Sequence, residues 1–218
     1  MKTRLLIAVS ALLLFSSCIV KSLQPFYKKE QLNFDTRLIG KWIDHREGTW
    51  EFVSFKTEWK KENKEPTKLM KEDREAYENY KDGYVMTYIE HGKEANFIAM
   101  PFKVGKAVYL DVMPFIYDTD KINDLISQHL LKTHSVARVD FSNDKPIALK
   151  WLPESTITSL FEQEKLRLKF EKSGIDQDLV LTDDTEALNA FLHKFEKFKE
   201  NNKWENDTTY KLSPQTSK

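Results

Sequence analysis

From Leu38 onward the sequence breaks into short apolar runs separated by turn residues, and no other feature constrains the fold as strongly. Runs of this length suit β-strands, whose side chains alternate between faces, and are too brief for buried helices. Leu38 to Asp44 and Gly48 to Phe55 form a first predicted pair, with Asp44-His45-Arg46-Glu47-Gly48 as hairpin loop. Further strands fall at Tyr84 to Glu90, Ala95 to Val104 and Ala107 to Met113, with His91-Gly92-Lys93 and Gly105-Lys106 as tight links. Ser135 to Phe141 and Pro146 to Trp151 join through Ser142-Asn143-Asp144, and Lys165 to Glu171 and Asp178 to Leu181 come last. A sheet of about nine strands splits into a sandwich or closes into a barrel, since either limits open edges. Short sequential links make an up-and-down course the simplest one. The fold class read from the sequence is therefore mainly β (α+β): a single antiparallel up-and-down barrel with a C-terminal helix and short helical insertions.

The helical signals are few. Thr119 to Leu131 places Ile122, Leu125, Ile126, His129 and Leu130 at spacings of three and four, with Asp120 as cap. Pro153-Glu154-Ser155 opens a short helix ending near Glu162. The strongest signal is the last: Thr182 or Asp183 caps a helix whose Leu188, Phe191, Leu192, Phe195 and Phe198 form one stripe that must bury against the sheet. Lys56 to Asp82 interrupts the strands with a run dense in Lys and Glu around Pro66. It reads as a solvated insertion, with Leu69, Asp73, Ala76, Tyr77 and Tyr80 hinting at a short helix. Residues 201–218 read as a polar, frayed tail.

The first residues read as an address rather than as structure. Lys2 and Arg4 precede the apolar run Leu5 to Phe15, and the small Ser16 and Ser17 lead to Cys18. This is the layout of a secretory signal over residues 1–17, with a run shorter than the ~20 residues that span a bilayer. Residues 18–36 then read as a tether and 37–200 as the domain. Cys18 is the chain's only cysteine, so an internal disulfide framework and a cysteine zinc site are excluded. With 34 basic and 34 acidic groups in all, the charge excess that phosphate backbones require is missing, and nucleic acid is not expected as a partner.

Two resemblances sharpen this outline. Leu14-Phe15-Ser16-Ser17-Cys18 resembles the lipobox of bacterial lipoproteins, with Phe15 where Leu is commonest. The resemblance implies a diacylglyceryl thioether on Cys18, cleavage before it and acylation of the new amino group. Each buried methylene contributes about 0.8 kcal/mol, so two or three chains on one residue hold a protein on a membrane. Ile19 to Gln24 carries no acid, which by the same resemblance favours the periplasmic face of an outer membrane. Gly40-Lys41-Trp42 resembles the G-x-W element that opens lipocalin-like barrels, where an Arg from a late strand often lies across the Trp; Arg138 and Arg167 are the candidates. The alternative for Trp42 is a core side chain after a turn glycine. Cys18 to Tyr27, Gly40-Lys41-Trp42, Leu130-Leu131-Lys132-Thr133-His134, Leu181-Thr182 and Phe191-Leu192 together resemble a group of small bacterial lipoproteins, which implies location and fold but no activity.

The residues offer little catalytic chemistry. There is no Gly-x-Ser-x-Gly elbow, no helical His-Glu-x-x-His and no glycine-rich phosphate loop. His129 and His134 flank a helix-to-strand junction, and a metal there would need further ligands such as Asp111 or Asp140; the other reading is two unrelated histidines. No metal or cofactor is therefore expected. An envelope hydrolase using carboxylates such as Asp111 or Glu171 ranks last. What remains is bulk on the strands. Trp50, Phe52, Tyr88, Met100, Phe102 and Tyr109 are the expected lining of a site for a small apolar ligand. An eight-stranded barrel either fills with such side chains or holds a ligand, and both outcomes stay open. The two functional classes are a lipid-anchored binding module and a filled barrel acting through its surface.

Overall fold

The computed structural model describes residues 19–62, 70–116, 130–141, 146–198, 203–204 and 208–215. The barrel strands are β2 (Gly40–Asp44), β3 (Thr49–Ser54), β4 (Tyr84–Glu90), β5 (Lys93–Val104), β6 (Ala107–Ile116), β7 (Ser135–Asp140), β8 (Ile147–Trp151) and β11 (Thr209–Pro214). They close into an eight-stranded antiparallel barrel, β2 through β8 in chain order and β11 between β8 and β2. A separate three-stranded sheet is made by β1 (Lys21–Ser22), β9 (Phe170–Ser173) and β10 (Asp178–Leu181), with β1 parallel to β10. The helices are α1 (Phe55–Glu62), α2 (Lys71–Tyr80), α3 (Glu154–Glu162) and α4 (Thr185–Lys197). The predicted helix over Thr119–Leu131 lies almost wholly outside the described residues.

The closing strand corrects the reading of 201–218 as a tail. Tyr210 pairs with Leu149 and Leu212 with both Ile147 and Asp44, so this segment completes the hydrogen-bond circuit. Tyr210 and Leu212 point inward and Lys211 outward, the period of two expected for a strand. Only two inward residues carry that signal, and Leu212 is fully buried. Of the two strands expected last, 178–181 is β10, while only the end of 165–171 enters β9, and both lie in the side sheet with β1.

Register sorts the side chains of the barrel wall. Trp50, Phe52, Tyr84, Met86, Ala99, Leu110, Val112, Ala137, Val139, Leu149, Trp151 and Leu212 pack inside. The opposite faces of β5, β6 and β7 are buried as well, beneath α4 and the chain from Val20 to Tyr27. A sheet covered on both faces has apolar runs without alternation, which is why Ile98-Ala99-Met100-Pro101-Phe102 reads as continuous. On α4 the Asp184 carboxylate accepts from the Ala187 N–H at 2.9 Å, so the cap lies beyond the expected Thr182 or Asp183. Leu188, Phe191, Leu192 and Phe195 are buried as the stripe predicts, each such side chain contributing about 1.5–3 kcal/mol, while Phe198 stays partly exposed.

Residues 19–36 are not a loose tether. Val20, Ser22 and Phe26 are fully buried. The segment runs along the outer wall as a strap: Val20 N–H donates to Leu152 O at 2.9 Å, Ser22 and His134 exchange both backbone bonds, and Asn33 N–H donates to Pro101 O at 2.9 Å. Buried Asn189 of α4 donates to Phe26 O at 2.9 Å and to Gln31 Oε1 at 2.7 Å, tying strap to helix. The described parts of the charged insertion likewise pack on the barrel. Phe55 stacks on Trp59 at 5.6 Å, Trp59 meets Tyr77 at 5.7 Å, and this layer covers Ile98 and Met100 on the barrel's outer wall.

Candidate functional site

The barrel has two unlike ends. At one, the strap delivers Leu38, 1% exposed, and Tyr84 fills the space above it; the Tyr84 hydroxyl donates to Asp35 O at 2.7 Å. This end is closed. At the other end β3, β5, β7 and β11 begin and β2, β4, β6 and β8 finish, and there the packing is incomplete. A cavity of about 170 Å³ is lined chiefly by Trp50, Met86, Tyr88, Phe97, Trp151 and Tyr210, with Ile19 at its edge. The Trp50 ring is the hub: it lies 4.1 Å from Tyr88, 5.1 Å from Tyr210 and 5.9 Å from Trp151.

Local chemistry holds Trp50 in place. Buried Asp44 ends β2, and its Oδ1 accepts the N–H groups of Arg46 at 2.7 Å and Gly48 at 3.1 Å. Its Oδ2 accepts Trp50 Nε1 at 2.7 Å. The same carboxylate therefore shapes the hairpin and orients the indole. A β-carbon at Gly48 would stand 2.7 Å from both Asp44 Oδ2 and the Tyr88 ring, so the close approach requires glycine. Burial raises the Tyr88 phenol, with Glu90, Tyr210 and Asp44 adding to it, and burial raises Tyr210. Both mouth hydroxyls are therefore neutral at physiological pH. The Arg46 guanidinium lies over the Tyr210 ring at 4.9 Å.

Of the six residues expected to line a site, the barrel brings two to the mouth, Trp50 and Tyr88. Phe52 also points inward but is fully buried in the core below. Met100, Phe102 and Tyr109 are corrections: they face outward, Met100 under α1 and α2, Phe102 and Tyr109 under the strap and α4. Phe102 pairs directly with Tyr109 and Tyr109 with Arg138, so all three share the outer face. Tyr109 Oη bonds Glu196 of α4. Alternation alone assigns two faces and does not say which is interior, and here both are apolar. Missed were Met86, Phe97 and, near strand ends, Trp151 and Tyr210. The last two lie on the inward phase, but Tyr210 sits in a segment read as tail.

Trp42 has its ring against the interior cluster, and its Nε1 donates to Leu38 O at 2.8 Å. The expected arginine does not lie across it. Arg138 points outward, paired with Asp140 at 3.0 Å and Glu196 at 3.6 Å. Arg167 belongs to the segment between α3 and β9, outside the barrel. An inward Trp and an outward Arg on the same wall cannot stack.

The strap covers a second polar group. Asp111, 1% exposed on the outer wall of β6, accepts the Phe26 N–H at 2.7 Å and bonds His134 Nδ1 at 2.6 Å. Ser22 stands opposite His134 in the backbone pairing. Ser, His and Asp thus meet, but without the geometry of a nucleophile. The Ser22 hydroxyl donates to Gln24 O at 2.7 Å and the residue is fully buried, so no substrate reaches it. His129, the other half of the histidine pair, lies outside the described residues, as does Cys18. No cluster of three metal-ligating side chains occurs among the described residues. No described helix is long and apolar enough to cross a membrane.

The fold and site thus define a closed antiparallel β-barrel with an aromatic mouth at one end. Compared with known protein families, curated proteins and solved structures, the chain matches none.

Proposed function

We propose that this protein is a lipid-anchored envelope lipoprotein, held through Cys18 at the periplasmic face of an outer membrane, whose lipocalin-like barrel is a non-catalytic binding module for a small apolar group. The observation that carries the reading is the mouth: a cavity of about 170 Å³ walled by two Trp and two Tyr, above a cluster of buried apolar side chains. Its size restricts the ligand. An apolar cavity of about 150 Å³ accepts one benzene, whereas sites for drug-sized molecules run from about 300 Å³. A single ring or the end of an alkyl chain fits this mouth, and a whole lipid does not. The reading of Cys18 rests on the lipobox resemblance.

The filled interior favours a second reading, a barrel acting through its surface alone. Trp50 and Trp151 separate the two, because they report on the cavity they line. Titration with toluene or hexanoate should shift their emission and saturate, and native mass spectrometry of gently extracted protein should retain a small apolar molecule. Trp50→Phe should remove most of the emission change while the fold persists by far-ultraviolet dichroism. No saturable change, together with no retained molecule, refutes the binding module and leaves the filled scaffold.

A further inference from the structure

The described chain enters the fold at the mouth end of the barrel. Ile19 lines the mouth cavity and pairs with Pro153 just after β8. Cys18 is one residue earlier, and a residue spans at most about 3.6 Å. Because Val20 is already fully buried and bonded to Leu152, no spacer separates the barrel from residue 18. The side sheet agrees. Lys21 is level with Val180 in a parallel pair, and its Nζ reaches Asp178 Oδ2 at 2.5 Å. Followed back along β10, that register brings the β9–β10 turn to the end where Ile19 lies. Ile175 at the tip of this turn is 100% exposed.

The rim at this end exposes several large apolar side chains; Met70 at the start of α2 is exposed as well. Ile43 and Ile89 flank Thr49 in one row across the outer wall of β2, β3 and β4, both exposed. Leu131 is 67% exposed just before β7, at the end where Lys132 Nζ donates to Phe115 O at 3.2 Å. Trp and Tyr rings with an apolar body and one polar atom concentrate where hydrocarbon meets headgroups. The charges nearby are mixed, Lys21, Arg46, Lys93 and Lys132 against Glu47, Glu90, Glu94 and Asp176. Attraction at this end is therefore hydrophobic rather than electrostatic. The closed end also exposes Phe34 and Ile39, but the strap enters the domain at the mouth.

We propose that the mouth end of the barrel sits on the bilayer surface, with Leu131 and Ile175 dipping into the interfacial layer, so that the aromatic cavity opens toward lipid rather than water. This rests on the lipid-anchor reading and adds an orientation to it. The ligand then enters from the membrane, as the end of a hydrocarbon chain or a lipid-dissolved ring. The docking surface is a neutral one, and phosphatidylcholine suffices for it.

The test uses full-length lipidated protein in phosphatidylcholine vesicles. Ile175→Cys, Leu131→Cys and Lys106→Cys each supply one free thiol for an environment-sensitive fluorophore; Lys106 turns between β5 and β6 at the closed end. The expected result is loss of most emission at 131 and 175 to lipid-borne quenchers, a blue shift at both, and neither effect at 106. These should persist when salt is raised. Protein that stays on vesicles with all three labels equally unquenched, or with 106 quenched instead, overturns the orientation and leaves the anchor standing. An intact mass lacking acyl chains on Cys18 overturns the anchor, and the orientation with it.

Discussion

Asp111 is the polar group on which the strap most depends, and its removal tests how the domain holds its first residues. In Asp111→Ala the Phe26 N–H loses its acceptor in a fully buried place, and His134 loses the partner of Nδ1. An orphaned buried donor costs about 1–3 kcal/mol. His134 is 14% exposed and partly rehydrates, so the Phe26 N–H carries the larger share. The expected loss is about 2–4 kcal/mol, from a total of about 5–15 kcal/mol for a domain of this kind. In urea, with a slope of about 2 kcal/mol per molar, the midpoint should fall by about 1–2 M. Asp111→Asn keeps one acceptor for Phe26 and offers its amide to His134, so it should recover at least half of that loss. A cycle with His134→Ala separates the two bonds, since His134→Ala alone leaves the Phe26 bond in place. The assay is equilibrium urea unfolding followed by tryptophan emission. An unchanged midpoint in Asp111→Ala would refute the view that this carboxylate secures the strap.

Two further outcomes follow from the barrel's closure and its buried phenols. Removing residues 209–218 opens β2 and β8 as unpaired edges, and the truncated chain should lose its single cooperative thermal transition and self-associate; calorimetry and light scattering check this, and an unaltered transition would show that β11 does not close the barrel. Burial pushes Tyr84 up to about 12 from an unfolded value of 10.0, and it raises Tyr27, Tyr88 and Tyr109 too, with carboxylates at Asp111, Glu90 and Glu196 adding to it. The neutral phenols are favoured in the folded state, so their contribution is complete below pH 10 and lost as pH rises through the folded values. Tyr84 alone accounts for about 3 kcal/mol at about 1.4 kcal/mol per unit. Tyrosinate absorbance of folded protein should lag well above pH 10 and complete only on unfolding; a full titration centred at pH 10 would contradict the burial.

The mouth cavity was half legible from sequence. Trp50 and Tyr88 were named for it because they are bulky and alternate with polar neighbours. Met100, Phe102 and Tyr109 met the same criterion and face the other way. Nothing in a run such as Ala99-Met100-Pro101-Phe102 tells an inner phase from an outer one when a helix covers the outside. The G-x-W element located the start of the barrel, yet its expected arginine partner was a matter of which face Arg138 takes, and pairing with Tyr109 and Lys150 turned it outward.

What the sequence determined by itself is local: the positions of most strands, Asp178–Leu181 among them, the hairpin turns and the α4 stripe. These follow from side-chain periodicity, turn residues and capping groups within a few positions of one another. The tertiary structure decided what depends on distant partners. It made Thr209–Pro214 the closing strand, turned residues 19–36 into a strap through Asp111 and Asn189, and left space at the mouth end of the barrel. Two inward side chains and a register with β2 and β8 are enough to close a sheet, and such a register exists only between segments far apart in the chain.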